Sequence, residues 1–279
     1  MMVEKKSMGK KFGLVLAVVF TFFTHWVVFW FIWVNSGKTK SEAAQLSAKF
    51  PAKPHFLENY KYILDYRHNV FIRSLFNSLK LTLFSISILI LVSSMAAFIL
   101  QRRPGRVSKI SHKLIIAGLI VPLSVIPTFW VLHLIGVDGT LPGLVLVEIA
   151  TMFAFSTMVF KDFIATIPSD IDNAAIIDGA NLPQLFFRIV FPLLKPVTTT
   201  IVILKSVEVY NDFYNPLYFM SGANNTTVQL CVYLFQSSFN SNYEHLFAVV
   251  CMTIVPPLMM FLFLNKRIIG GMTVGSVKG

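Results

Sequence analysis

Residues 167–196 read IPSDIDNAAIIDGANLPQLFFRIVFPLLKP, an amphipathic stretch that lies between two long apolar runs. Ser169, followed three residues later by Asp172, fits a capping pattern at the start of a helix, which predicts a short helix ending near Asp178. Gly179 then suits the left-handed conformation that ends many helices. Because the stretch is too polar to cross a bilayer, it predicts a helical element at the membrane surface.

A second short helix is predicted directly after this glycine. Asn181 and Gln184 provide a start signal, and Pro183 is tolerated in the first helical turn. The helix is expected to run to about Phe191 and to stop before Pro192, because proline lacks the N–H that a helix interior needs. Three alanines give the two helices a small-residue surface that another protein could approach closely: Ala174, Ala175 and Ala180. A hairpin that rests on lipid headgroups explains the pattern equally well.

Outside this stretch the chain is dominated by apolar residues. They make up 55% of the sequence, and charged residues only 13%, whereas a soluble domain has about 25% charged residues. A helix of about 20 apolar residues spans the hydrocarbon core, and six runs have that length. They are residues 12–34, 81–100, 114–137, 141–160, 197–219 and 246–264. We therefore expect an all-α integral membrane protein with six transmembrane helices.

The charges of the loops predict the orientation. Lys and Arg are retained on the cytoplasmic side, and they concentrate in residues 101–113, in residues 161–196 and in the C-terminal tail. Residues 138–140 and 220–245 contain none. Both termini and the loop between helices four and five are therefore predicted to be cytoplasmic. Residues 35–73 contradict this pattern, because they should lie outside yet carry seven basic residues. The first run is too long for a signal-peptide core and predicts a retained helix.

The fifth run carries polar residues at helical spacing. Four of them recur at intervals of three, four and three, which predicts that they share one face of a continuous helix. They are Lys205, Glu208, Asp212 and Asn215, with Asn211 and Tyr214 beside them. A charged stripe in a membrane faces protein or water, so it predicts either the lining of a solute pathway or contacts between subunits. Glu148 is expected to be structural, paired with Lys205 or a partner subunit, or protonated in the core.

The sequence lacks the motifs of enzymes and nucleotide-binding proteins. It contains no Gly-x-x-x-x-Gly-Lys-Ser/Thr loop and no Gly-x-Ser-x-Gly nucleophile motif. Its six histidines and two cysteines show no metal-ligand spacing. The net charge of +11 arises mostly from loops between apolar runs, which indicates membrane flanks rather than nucleic-acid binding. We expect neither enzyme activity nor a cofactor or metal in this chain.

The stretch 167–196 resembles the signature of the permeases of ABC importers. That signature has Glu-Ala-Ala, a Gly four residues after the last Ala and, after nine intervening residues, Ile-x-Leu-Pro. The matching residues are Asn173, Ala174, Ala175, Asp178, Gly179, Ala180, Ile189 and Pro192. Asn173 replaces the Glu and Phe191 replaces the Leu. In the family this loop is the coupling helix that docks on a cytoplasmic ATPase, and the resemblance implies the same role here.

The resemblance extends over nearly the whole chain to the maltose-type carbohydrate permeases. The further matching segments are residues 57–60, 77–79, 211–213, 216–217 and 271–279. The resemblance implies a single polytopic domain over residues 1–279, with an accessory first helix at 12–34, core helices within 81–264 and the coupling loop at 167–196. It also implies a bacterial cell membrane, and as partners a second homologous permease subunit, a dimer of cytoplasmic ABC ATPases and an extracellular or periplasmic solute-binding protein.

The expected function is import of a carbohydrate, powered by the separate ATPase. Two alternatives stay open, because the sequence names no solute. The solute could be another small polar molecule, such as a glycerol phosphate. An ion-coupled secondary transporter, with Glu148, Glu208 and Asp212 as a proton relay, would also place carboxylates in the membrane.

Overall fold

The computed structural model describes residues 2–220, 222, 225–236 and 242–275, with side chains described for 13–220, 222, 225–236 and 242–263. Every secondary-structure element within those residues is a helix, apart from an isolated parallel bridge between Gly139 and Met220. The all-α prediction is therefore confirmed. The segment predicted to match at 271–279 extends beyond the described residues. Two compact units form: Met1–Phe71 with Cys231–Ile254, and Ile72–Leu230 with Val255–Gly279.

The helices follow one another with short connections. In chain order they are α1 (Met2–Ser36), α2 (Lys40–Ala43), α3 (Phe56–Asp65), α4 (Val70–Arg102), α5 (Arg106–Ile120), α6 (Val125–Leu134), α7 (Leu141–Ala165), α8 (Asp170–Ile177), α9 (Leu182–Gln184), α10 (Phe191–Leu193), α11 (Lys195–Asn211), α12 (Tyr214–Phe219), α13 (Val228–Phe235) and α14 (Tyr243–Gly275). A π-helical segment, Leu185–Val190, joins α9 to α10.

Four helices of the described chain are long and apolar enough to cross a membrane. They are Gly13–Ser36 within α1, Val70–Arg102, Leu141–Ala165 and Tyr243–Phe263 within α14. Leu182–Leu193 and Lys195–Asn211, which meet at 72°, qualify as a fifth span only when they are taken together. The runs predicted at 81–100 and 141–160 each lie inside one of the four helices. The chain is therefore a multi-pass membrane protein by the length and composition of its helices.

The third predicted run does not form one helix. Residues 114–137 are divided between α5, which ends at Ile120, and α6, which begins at Val125. Pro122 explains the break, because it lacks an N–H and its ring disfavours the helical conformation of the preceding residue. Val121 is accordingly extended, with φ −77° and ψ 117°. The run predicted as the third transmembrane helix is therefore divided between two shorter helices, and the total of six transmembrane helices stays a prediction.

Side chains of the first unit close the loop that follows α1. Asn59 on α3 donates from Nδ2 to the carbonyls of Ser36 at 2.8 Å and Lys38 at 3.0 Å. The buried Lys38 ammonium donates to Asn35 Oδ1 at 3.0 Å and to the Ser47 carbonyl at 2.6 Å. Burial lowers the pKa of Lys38 from its ordinary value. Lys38 is thus a packed part of the loop rather than a solvated charge.

The second unit is built around α7, whose N-terminal turn packs tightly against the preceding loop. Thr140 caps this helix by accepting from the N–H of Gly143 at 3.2 Å and donates its hydroxyl to the Val137 carbonyl at 2.6 Å. A Cβ at position 143 would collide with that same carbonyl oxygen. Further along α7, Leu144, Phe160 and Ile164 are fully buried in the apolar core. Gly143 is therefore required for α7 to begin where it does.

We expect Gly143→Ala to reduce stability by about 1–3 kcal/mol, because a backbone carbonyl has little freedom to move away from the new methyl group. The midpoint of thermal unfolding in detergent should fall. Gly118→Ala is the matched control, since a Cβ there meets only the Ala154 methyl at an ordinary 3.7 Å. Equal midpoints for the two variants would contradict this packing.

Candidate functional site

The first helix of the 167–196 stretch is present, although it starts differently from the prediction. Ser169 has helical dihedral angles, and its side chain caps nothing. Its carbonyl instead accepts from the N–H groups of Asp172 at 3.0 Å and Asn173 at 3.1 Å. The predicted capping role of the Ser169 hydroxyl was wrong, because a capping side chain requires an extended residue. The predicted end of α8 is confirmed, with Gly179 left-handed at φ +83°.

The second helix begins as predicted and ends later. Asn181 and Gln184 form a capping box in which each side chain accepts from the other's backbone N–H at 3.0 Å. The predicted end before Pro192 was wrong, because α10 continues to Leu193. The π segment explains this, since the N–H of Phe191 bonds to the carbonyl of Phe186, five residues back. A wider turn of this kind keeps the proline ring away from the preceding carbonyls.

An ion pair fastens α8 to the end of α4. Arg102 Nε lies 2.7 Å from Asp172 Oδ2, with side chains only 15% and 11% exposed. The same guanidinium donates from Nη2 to the carbonyl of Ile167 at 2.8 Å. The sequence does not reveal this ion pair, because the partners are 70 positions apart. The acidic residue on the inner face of α8 was the available signal, and it was interpreted as part of a capping pattern.

The exposed face of α8 differs from the predicted small-residue surface. Ala175 is 6% exposed and belongs to the apolar core, so its predicted role in an outer contact surface was wrong. Ala180 and Ile189 are also packed against the core, whereas Pro192 is exposed. Five of the residues that lie open form what we term the outer face of α8: Asn173, Ala174, Ile176, Ile177 and Asp178. Ile177 is 85% exposed, which is unusual for an isoleucine on an amphipathic helix.

The polar residues of the fifth run do not share one continuous helix. The helix α11 ends at Asn211, and α12 begins at Tyr214. Asp212 causes the break by accepting from the backbone N–H groups of Tyr214 at 2.9 Å and Asn215 at 3.5 Å. A side chain that bonds nearby backbone groups in this way competes with the helix. The prediction of a single helical face was therefore wrong.

The break separates the predicted polar stripe into two groups. Lys205 pairs with Glu208 at 2.6 Å and lies 4.6 Å from the centre of the Phe155 ring. Glu148 is fully buried and accepts from Asn215 Nδ2 at 3.3 Å, so the pairing with Lys205, one of the alternatives expected for it, does not form. The Asp212 carboxyl lies near that of Glu148. Glu148, Asp212 and Asn215 together form what we term the polar cluster.

The remaining predicted residues lie at the edge of the polar cluster. Asn211 Oδ1 accepts from Gln229 Nε2 at 3.1 Å, and Tyr214 is 68% exposed. Gln229 was not predicted, because only proximity in three dimensions links it to Asn211. In the part of the chain with described side chains, no three His, Cys, Asp or Glu residues are grouped to hold a metal ion. The chemistry that the arrangement offers is hydrogen bonding to neutral or hydroxyl-bearing groups.

Comparison with known proteins identifies the family to which this chain is similar. The family described as "Binding-protein-dependent transport system inner membrane component" matches residues 89–268. The melibiose/raffinose/stachyose import permease protein MelC of Bacillus subtilis (strain 168) is 30% identical over 260 residues, which are 91% of this chain and 92% of MelC. The diacetylchitobiose uptake system permease protein NgcG of Streptomyces coelicolor is 27% identical, covering 88% of this chain and 83% of NgcG.

A solved structure shares the fold. A chain in the crystal structure of a bacterial ABC transporter that imports the acidic polysaccharide alginate superposes with a TM-score of 0.77. The superposition covers 92% of this chain and 96% of that chain, at 19% sequence identity. At this identity the similarity establishes the fold alone.

We expect Arg102→Gln or Asp172→Asn to lower the free energy of unfolding by roughly 2–4 kcal/mol, because each leaves a largely buried charge without its partner. Thermal unfolding of the purified protein in detergent would measure the loss. The exchanged variant Arg102→Asp with Asp172→Arg should recover part of it, whereas Lys109→Gln, on the exposed surface of α5, should have little effect. An exchanged variant less stable than both single variants would argue against the ion pair.

Proposed function

This chain belongs to the family of binding-protein-dependent transport system inner membrane components, and from that premise we propose that it imports a carbohydrate into a bacterial cell. The observation that carries the proposal is similarity over about nine-tenths of both chains to a permease named for its import of melibiose, raffinose and stachyose. A second relative is named for uptake of diacetylchitobiose. Sugars and short oligosaccharides are therefore the proposed class of solute.

The proposed topology has six transmembrane helices with both termini in the cytoplasm. The four long apolar helices and the bent pair that ends with α11 would supply five crossings. The broken pair α5 and α6 would supply the sixth. Burial of Lys38 supports an outer position for residues 35–73, because one of their basic charges is held inside the loop. We also propose that residues 1–279 form a single polytopic domain. Its parts are the accessory helix at 12–34, the core helices within 81–264 and the coupling loop at 167–196.

The proposed site of coupling is the outer face of α8. Ile176 and Ile177 are 59% and 85% exposed, so a docked protein would remove apolar surface from water. Asn173 offers an amide where the family signature has a carboxylate, which shifts the expected contact towards apolar packing and neutral hydrogen bonds. The Arg102–Asp172 ion pair would hold α8 against the end of α4 while the ATPase exerts a force on α8. The proposed partners are a cytoplasmic ABC ATPase dimer and a second homologous permease subunit.

The proposed solute pathway runs beside the polar cluster and the break between α11 and α12. Non-helical backbone at membrane depth is tolerated where it is buried in protein or lines a cavity. Asn211, Asp212, Tyr214 and Asn215 would present amide, carboxylate and phenol groups to the hydroxyl groups of a sugar. Lys205 and Glu208 would either line the same pathway or contact the second permease subunit. An external solute-binding protein would deliver the solute, in keeping with the family's description.

We expect Ile177→Cys to form a disulfide with a cysteine placed in the groove of the partner ATPase, because Ile177 is the most exposed apolar residue of α8. Ala175→Cys is the matched control, since Ala175 faces the core two residues away. Both variants are made with Cys231 and Cys251 replaced by serine. Crosslinked product on a non-reducing gel is the measurement. Crosslinking at 175 but not at 177, or at neither, would count against docking through the outer face.

A further inference from the structure

The connection between α4 and α5 encloses a pocket that the proposed transport mechanism does not use. Its volume is about 490 Å³, within the range of small-molecule and cofactor sites. Ile99 and Leu100 from α4 and Ile115 from α5 line its apolar part. Arg103 and Arg106 line the same pocket where the two helices are joined. An apolar interior with arginines at one end suits an amphipathic, negatively charged ligand.

In the part of the chain with described side chains, no carboxylate is paired with either of the two arginines. Among the residues that the structure describes, neither Arg103 nor Arg106 forms an ion pair, whereas the neighbouring Arg102 is paired with Asp172. Residues 101–113 contain no Asp or Glu at all. Both arginine side chains are exposed. Guanidinium groups bind phosphate well because their planar donors match its oxygens.

The geometry of the pocket matches a phospholipid at the membrane surface. The apolar span α4 ends at Arg102, so Arg103 and Arg106 lie just beyond it. Ile99 lies one helical turn before Arg103, about 6 Å along the axis, and Ile115 lies about 14 Å beyond Arg106. Val107, which also lines the pocket, and Leu114, on the neighbouring surface of α5, are 78% and 67% exposed. Headgroup phosphate and acyl chain would therefore each meet a suitable surface.

The pocket is formed by the chain itself before any ligand binds. Ser108 Oγ donates to the carbonyl of Leu100 at 3.3 Å and joins the first turn of α5 to the last turns of α4. The N–H of Lys109 bonds to the Gly105 carbonyl at 3.0 Å, which keeps the turn at Gly105 closed. The connection between α4 and α5 would thus already be formed when a ligand enters the pocket.

We propose that this pocket binds an anionic phospholipid, with its phosphate on Arg103 and Arg106 and its acyl chains along Ile99, Leu100 and Ile115. The proposal rests on the proposed function only for the placement of residues 101–113 at the cytoplasmic surface, where basic residues attract anionic lipids. Binding of the lipid requires neither ATP hydrolysis nor a particular solute. Occupation of the pocket by another subunit of the transporter is the outcome that would exclude a lipid there.

The test uses the complete transporter complex that contains this chain. The complex is equilibrated with vesicles of equal phosphatidylglycerol and phosphatidylethanolamine, extracted in detergent, and the lipids retained per complex are counted by native mass spectrometry. Wild-type complex should retain phosphatidylglycerol in preference. Loss of each arginine, as in Arg103→Gln or Arg106→Gln, should reduce that retention about fivefold, since each change removes charge-assisted hydrogen bonds to the phosphate inside the pocket.

Lys109→Gln is the matched control, because it removes the same charge from α5 outside the pocket. It should retain phosphatidylglycerol as wild type does. Equal retention by wild type and the Arg103→Gln/Arg106→Gln double variant would overturn the proposal, as would a structure of the complex with another subunit in the pocket. Lipid retention is read from the same spectrum as subunit content. A complex without an ATPase subunit would therefore refute the proposed function separately from the lipid site.

Discussion

A bilayer supplies no hydrogen-bond partners, so each polar group that the chain carries into the membrane needs a partner within the protein. This constraint bears most on the two places where the helical backbone is interrupted. The chain leaves the helical conformation at Val121, before Pro122, and resumes it at Val125. At Asp212 a second helix ends, and the carboxylate there accepts from N–H groups of the next helix. The buried Glu148 is met by Asn215 from beyond that break.

The second break lies at the end of α11, the helix that directly follows the proposed coupling loop. The segment Leu182–Leu193 and the helix Lys195–Asn211 meet at 72°. The bend is at Leu194, which is fully buried in the core. A displacement of α8 would therefore reach the polar cluster through a bend fixed by packing, with the Arg102–Asp172 ion pair joining α8 to α4 at its other end. This continuity gives a physical route by which a force applied to the outer face of α8 could change the surroundings of Asp212.

The features that the sequence predicted are those with a local cause. Apolar runs identify the long helices, Gly179 identifies the left-handed end of α8, and the Asn181–Gln184 pair identifies the next start. The family resemblance, carried by residues at fixed spacing in the loop, is also confirmed. Two of the misses have non-local causes. Burial of Ala175 depends on the core beneath α8, and the Arg102–Asp172 ion pair joins residues far apart in the chain. The break at Asp212 was missed for a different reason. Spacings of three and four residues place side chains on one face only when the helix is continuous, and this helix ends at Asn211.

We propose above all that this chain moves a carbohydrate only when a separate ATPase drives the transport. The direct measurement is uptake of a labelled oligosaccharide, chosen from those that the cognate binding protein binds, into proteoliposomes containing the purified complex. Uptake should require ATP, the ATPase subunit and the binding protein, and Asp212→Ala should reduce it while the complex still assembles. Uptake that persists without the ATPase subunit and disappears when a proton gradient is dissipated would contradict the account.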